Sequence, residues 1–92
     1  MMVSIEHKGL RIYYEEGIGV KLPAVQLGKI RRILSMLDAV TCEDDIKTLG
    51  LGIHKLKGAY WGFWALSVTG NYRIVFRFHE GDIYDVDYLD YH

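Results

Sequence analysis

Three stretches, Trp64-Ala65-Leu66-Ser67-Val68, Tyr72-Arg73-Ile74-Val75-Phe76-Arg77-Phe78 and Ile83-Tyr84-Asp85-Val86-Asp87-Tyr88, decide how this chain folds. Each alternates with a period of two, the mark of a strand with one face buried. Two glycine-bearing turns separate them, Thr69-Gly70-Asn71 and His79-Glu80-Gly81. Treated as three-residue hairpin loops, the first sets Val68 opposite Tyr72, Leu66 opposite Ile74 and Trp64 opposite Phe76. The second sets Phe76 opposite Tyr84, Ile74 opposite Val86 and Tyr72 opposite Tyr88. A slip of one residue would scatter these side chains over both faces, so the two registers support one another. The expectation is an antiparallel meander with one aromatic core face.

Working outward, the N-terminal half reads as helical. Met2 to Glu6 fits a short first strand, and Lys8 to Glu16 fits a helix carrying Leu10, Tyr13 and Tyr14, ended by Gly17-Ile18-Gly19. A longer helix is expected from near Pro23, with Leu27, Ile30, Leu34 and Leu37 in a 3,4,3 pattern widened by Ile33. Thr41 is placed as the N-cap of a short helix whose first turn holds Glu43, Asp44 and Asp45. The whole is an α+β fold: a small antiparallel sheet, joined by the N-terminal strand, packed against two N-terminal helices. Residues 1–92 are read as a single domain, since a chain of 92 residues supports one dense core and no more.

Composition narrows the function classes. Half of the residues are hydrophobic and 13% aromatic, yet no apolar run approaches the ~18–20 residues of a membrane span. The single cysteine, Cys42, cannot form an internal disulfide, and no basic-then-apolar leader opens the chain. A cytoplasmic protein without membrane contact is therefore expected. The net charge of −1 hides an asymmetry: residues 1–77 hold all 11 Lys and Arg, whereas residues 78–92 hold five acids and no Lys or Arg. A basic body suits a polyanionic partner, and ordinary ion pairs on a solvated surface explain it equally well.

The face of the sheet turned from the core holds Phe63, Ala65 and Ser67, then Arg73, Val75 and Arg77, then Ile83, Asp85 and Asp87 in this register. Arg73 is expected beside Ser67 and Asp87. Two accounts are open: Arg–Asp pairs that fix register, or a surface whose arginine meets phosphate.

Glycine-rich phosphate loops, paired-cysteine zinc motifs and His-Glu-x-x-His are absent, and His7, His54, His79 and His92 show no ligand spacing, so neither metal nor cofactor is expected. Two clusters remain. His54-Lys55-Leu56-Lys57-Gly58 places an imidazole and two ammonium groups ahead of a turn, and Asp90-Tyr91-His92 ends the chain. Imidazole and phenol move protons, and cations stabilise charge on phosphate. RNA cleavage asks for little else, because the substrate's own 2′-hydroxyl is the nucleophile. The cluster has one geometric difficulty: His54 and Lys57 have opposite parity on a strand.

These residues in this order resemble a known family. His54-x-Leu56-Lys57-Gly58, Gly62-x-Trp64-x-Leu66-Ser67-Val68-x-Gly70-Asn71-Tyr72-Arg73-Ile74-x-Phe76-Arg77-Phe78 and Gly81-Asp82-x-Tyr84-Asp85-Val86-Asp87-Tyr88-x-Asp90-Tyr91-His92 look like the HigB toxins of the RelE/ParE superfamily. His7-Lys8-Gly9-Leu10 with the aromatic pair after it is similar to the family's N-terminal segment. The resemblance implies the RelE/ParE-like fold and a ribosome-dependent mRNA endonuclease that cuts codons in the decoding site. It also implies a HigA-like helix-turn-helix antitoxin as partner, through which operator DNA is contacted. Carried over, His54, Asp90, Tyr91 and His92 match catalytic positions, Lys57 and Arg73 match phosphate-contacting ones, and Asn71 matches a further site residue. His54 or His92 would handle protons, oriented by Asp90 and Tyr91. The chain departs from the pattern after Gly58, where Ala59-Tyr60-Trp61 stands in place of a charged Asp-Arg pair. Two other functions remain open: a ParE-like gyrase inhibitor without nuclease activity, and an inactive binding module on the same scaffold.

Overall fold

The computed structural model describes residues 1–90; Tyr91 and His92 lie outside the described residues. Helix α1 spans Lys8–Glu16, α2 Leu27–Asp38 and α3 Glu43–Lys47. Strands β1 (His54–Lys55), β2 (Trp64–Ser67), β3 (Tyr72–His79) and β4 (Asp82–Asp90) form one antiparallel sheet in chain order. Among the described residues no helix is long and apolar enough to cross a membrane.

The helices form for the reasons their sequences suggest. Gly17, at φ 74°, closes α1 in the left-handed region and donates its N–H to the Tyr13 carbonyl at 3.0 Å. Its other end is capped by His7, whose Nδ1 accepts from the Leu10 N–H at 3.1 Å. Pro23 is followed by one 3-10 turn, Ala24–Gln26, before α2 begins at Leu27. Of the α2 stripe, Ile30, Ile33, Leu34 and Leu37 are buried as expected, and Leu27 is half-buried against the same core. Each such side chain taken from water contributes roughly 1.5–3 kcal/mol. Thr41 is not the N-cap of α3: Cys42 holds that position without a side-chain bond. Thr41 instead donates both its N–H and its hydroxyl to the Asp45 carboxylate, at 2.9 and 3.0 Å. The bond runs back from the helix rather than into it, and it holds the Asp45 carboxyl below the usual carboxylate range.

The helices cover one face of the sheet. Trp64, Leu66, Ile74, Phe76, Val86 and Tyr88 from the strands meet Leu10 and the α2 stripe in one core. The first hairpin has the expected register, with Trp64 opposite Phe76 and Leu66 opposite Ile74. The second does not. His79 pairs with Asp82 and Arg77 with Tyr84, so the loop is the two-residue Glu80-Gly81, both at positive φ. That parity would turn Val86 and Tyr88 outward. A bulge between Val75 and Arg77 restores it, sets Ile74 opposite Tyr88, and places Asp85 at φ 54°. Ile83 consequently lies in the core, whereas Tyr84 joins Arg77 on the open face, reversing the expectation for both.

The bulge also shapes the N-terminus. Met2 and Ile5 bridge Ile83 and Val86 in parallel, but no continuous strand forms between them. Asp85 leaves the pleat there, and its N–H reaches the Ser4 hydroxyl at 2.8 Å instead of a backbone carbonyl.

Candidate functional site

Following the registers across the strands arranges the open face into three rows. Ser67, Arg73 and Leu89 form the first; His54, Ala65, Val75 and Asp87 the second; Leu56, Phe63, Arg77 and Tyr84 the third. Rows two residues apart on a strand lie about 7 Å from one another. Leu56, Ala65 and Val75, packed by Phe63 and Leu89, make an apolar floor of their own. Polar groups stand at the margins of this floor.

Arg73 lies beside Ser67, as expected, but opposite Leu89 rather than Asp87, because the bulge moves Asp87 to Val75. Its Nη1 donates to the carbonyls of Thr69 (2.7 Å), Gly70 (3.3 Å) and Tyr72 (3.2 Å). The turn beneath is itself braced, with Thr69 Oγ1 accepting from the N–H groups of Asn71 and Tyr72. The guanidinium is thus anchored over the β2–β3 turn, with exposed Asn71 at its tip.

Asp90 pairs with Tyr72 at the same end of the sheet and is exposed. The strand is continuous to that residue, so the chain reaches Asp90 without a linker. Beneath it Tyr72 and Tyr88 stack with ring centres 5.0 Å apart and planes 5° from parallel, and His7 meets Tyr88 edge-on at 5.6 Å. Burial pushes the Tyr88 phenol above its ordinary value, and the neighbouring Tyr72 adds to the rise. The Tyr88 hydroxyl is buried with no hydrogen-bond partner among the described residues.

His54 stands on the outer strand, two strands from Arg73, about 10 Å in the direction across the sheet. Its ring is exposed, and Nδ1 lies 2.8 Å from the Gly52 carbonyl. A carbonyl only accepts, so Nδ1 carries a proton, and in the neutral form of the ring Nε2 is the bare nitrogen. Lys57 does not join this group. It is exposed at the far end of β1, extended at φ −121° and ψ 176°, immediately before Gly58 turns the chain. The parity conflict with His54 therefore resolves by separation: Asn71, Arg73 and Asp90 lie at one end of the sheet, Arg73 on the open face and Asp90, paired with Tyr72, on the register of the other face, with His54 mid-face and Lys57 beyond the other end. Tyr91 and His92 fall outside the described residues.

Sequence reading missed Tyr84 and Arg77 as neighbours on this face. The available signal was Glu80-Gly81, which suits a two-residue turn; the compensating bulge at Asp85 had none. Among the described residues no three His, Cys, Asp or Glu groups are placed to hold a metal ion.

Comparison with known proteins agrees with this architecture. Residues 3–92 match the model of the HigB-like toxin family, described as the RelE-like toxin of the type II toxin–antitoxin system HigB. The Endoribonuclease HigB of Proteus vulgaris is 36% identical over 92 residues, which is all of both chains. A solved YoeB/ParE toxin from Agrobacterium tumefaciens superposes with a TM-score of 0.61 at 20% identity, covering 99% of this chain and 96% of that one, a likeness of fold. With its helices on one side of a four-stranded antiparallel sheet and a family match running from residue 3 to the end, the chain belongs to the HigB-like toxins of type II toxin–antitoxin systems.

Proposed function

We propose that the protein is an mRNA endoribonuclease that cuts codons in the ribosomal decoding site and so stops translation. The observation that carries this reading is the end-to-end likeness to an endoribonuclease, 36% identical with no part of either chain unmatched. The open face supplies suitable chemistry. The substrate's 2′-oxygen attacks the adjacent phosphorus, the bond to the 5′-oxygen breaks, and a 2′,3′-cyclic phosphate and a 5′-hydroxyl remain. His54, with Nε2 bare, accepts the 2′-hydroxyl proton. A group of the Asp90-Tyr91-His92 tail returns a proton to the leaving 5′-oxygen. Arg73, held by three carbonyls, meets the phosphate that gains charge in the transition state, and Asn71 contacts the nucleotide beside it. Lys57 lies too far along the sheet for the same phosphate and engages a neighbouring one.

A type II toxin has an antitoxin. The partner proposed here is HigA-like, with a helix-turn-helix domain through which the complex contacts operator DNA. Mapping mRNA 5′ ends after induction, and repeating it on purified RNA with and without ribosomes, tests activity and ribosome dependence together. Cuts within codons that vanish without ribosomes are expected. Gyrase-dependent DNA breaks with intact mRNA would replace this reading with gyrase inhibition.

A further inference from the structure

The turn between β1 and β2 is closed by its own backbone bonds. The Trp61 N–H donates to the Gly58 carbonyl at 3.0 Å, and the Phe63 N–H to the Tyr60 carbonyl at 2.9 Å. Gly58 and Gly62 lie at φ 70° and 91°, where a side chain would be strained. This turn holds Trp61 out in solvent, 81% exposed, while the chain's other tryptophan, Trp64, is 7% exposed. Leaving an indole in water costs what its burial would return, and nothing in the described fold covers it.

Beside Trp61 opens a cleft of about 560 Å³ lined by Gly62, Arg77, Phe78, His79 and Tyr84. No carboxylate lines it directly, though Glu80 Oε1 lies 3.7 Å from His79 Nε2 at its rim. Arg77 is held by Asp85 through Nε at 2.8 Å and lies 5.8 Å over the Phe63 ring. Among the described residues that is the hydrogen bond its guanidinium makes, so its two terminal nitrogens can meet an anion. His79 leans edge-on toward Tyr84, ring centres 6.5 Å apart. Two aromatic rings, a fixed guanidinium and an imidazole match the chemistry of a nucleotide, whose base stacks and whose phosphate takes the cation.

We propose that this cleft is a base-stacking subsite for an unpaired nucleotide flanking the cut, with Trp61 and Tyr84 as its aromatic faces and Arg77 on its phosphate. The proposal rests on the RNA-cleaving function above and adds to it the residues that set preference for flanking bases. Arg73 and Arg77 occupy the first and third rows of β3, about 13 Å apart along the strand, with the His54 row between them. An extended RNA strand laid along this face would therefore put its reacting phosphate near Arg73 and a neighbouring base near Trp61.

Trp61→Ala and Trp61→Phe separate the possibilities, with cut-site mapping on ribosome-bound mRNAs randomised around the cut and calorimetric titration of antitoxin. Trp61→Ala is expected to flatten base preference at one flanking position and to lower cutting of the preferred sequences about tenfold. Trp61→Phe should restore most of both, and antitoxin affinity should stay unchanged in each variant. Unaltered cutting and preference in Trp61→Ala would overturn the subsite while leaving the nuclease intact, and weakened antitoxin binding with unaltered cutting would assign the indole to the antitoxin. A wild-type protein that cuts no mRNA would remove the proposed function and the subsite with it.

Discussion

Ser4 and Asp85 are joined twice, across 81 residues of chain: the Asp85 N–H donates to Ser4 Oγ at 2.8 Å, and Ser4 Oγ donates to the Asp85 carboxylate at 3.2 Å. This exchange compensates a left-handed residue in the middle of β4, where φ of 54° leaves the amide without a ladder partner. The carboxylate of Asp85 also holds Arg77, so the bulge, the N-terminal segment and the open face share one support. Ser4→Ala would leave a part-buried N–H unbonded. A loss of about 1–2 kcal/mol in urea unfolding is expected, without change in the cooperativity of the transition. An unchanged midpoint would mean that water replaces the hydroxyl.

The bulge also marks where the sequence stopped being legible. The limits of α1, the α2 stripe and the first hairpin followed from period and turn residues, because each depends on contacts close in sequence, whereas the start of α2 and the cap of α3 each fell later than expected. The second hairpin depends on a pair of compensating one-residue shifts, Glu80-Gly81 and Asp85, that cancel in the parity of Val86 and Tyr88. Alternation could therefore place those two residues correctly while misplacing Ile83, Tyr84 and the partner of Arg73. For the candidate site, residue types in order pointed to His54, Arg73 and Asp90. Their distances from Lys57 did not follow, since the length of β1 is set by the turn at Gly58 rather than by any periodic pattern.

Tyr88→Phe is expected to stabilise the protein. The Tyr88 hydroxyl is buried and unbonded among the described residues, and phenylalanine keeps the stack on Tyr72 and the edge contact with His7. Removing an unsatisfied buried hydroxyl should raise stability by about 1 kcal/mol at neutral pH. The phenol's pKa is raised in the folded state, so the folded state favours the protonated form. Its contribution is full below the ordinary tyrosine value of about 10 and is lost as pH rises from there through the folded value. The alkaline decline of stability should accordingly be shallower in Tyr88→Phe. Urea midpoints taken from neutral to strongly alkaline pH measure both effects, and a destabilised variant would show that the hydroxyl has a partner.

Arg73→Ala should weaken cutting of ribosome-bound mRNA by 10²-fold or more and antitoxin binding little, if its anchored guanidinium serves phosphate. The same guanidinium also closes the β2–β3 turn through three carbonyls, so a stability loss of about 1 kcal/mol is expected beside the kinetic one. Arg73→Lys distinguishes the roles: it keeps charge but cannot reach several carbonyls at once. Partial recovery of cutting without recovery of stability would support phosphate contact. Parallel losses in cutting, stability and antitoxin affinity would make Arg73 a structural residue.

Removing Tyr91 and His92 should abolish growth arrest and leave antitoxin binding largely intact. Asp90, the last described residue of β4, pairs with Tyr72, and this pairing is expected to persist in the shortened chain. Full toxicity in the truncated protein would transfer the acid role elsewhere on the open face.

His54→Ala provides the sharpest separation of chemistry from fold. The ring is exposed and its hydrogen bond among the described residues, to the Gly52 carbonyl, lies within the same loop, so the unfolding midpoint should hardly move. If Nε2 is the proton acceptor, single-turnover cutting should fall by 10²- to 10⁴-fold, the usual range for a lost general base. Binding to the ribosome and to antitoxin should be retained. His54→Asn sharpens the result, because its amide nitrogen takes the place of Nδ1 and can still donate to the Gly52 carbonyl, yet it cannot act as a base near neutral pH. An Asn variant as slow as the Ala variant would identify proton transfer as the function of the ring. Recovery of cutting in the Asn variant would instead reduce His54 to a group that holds the loop before β1 in place.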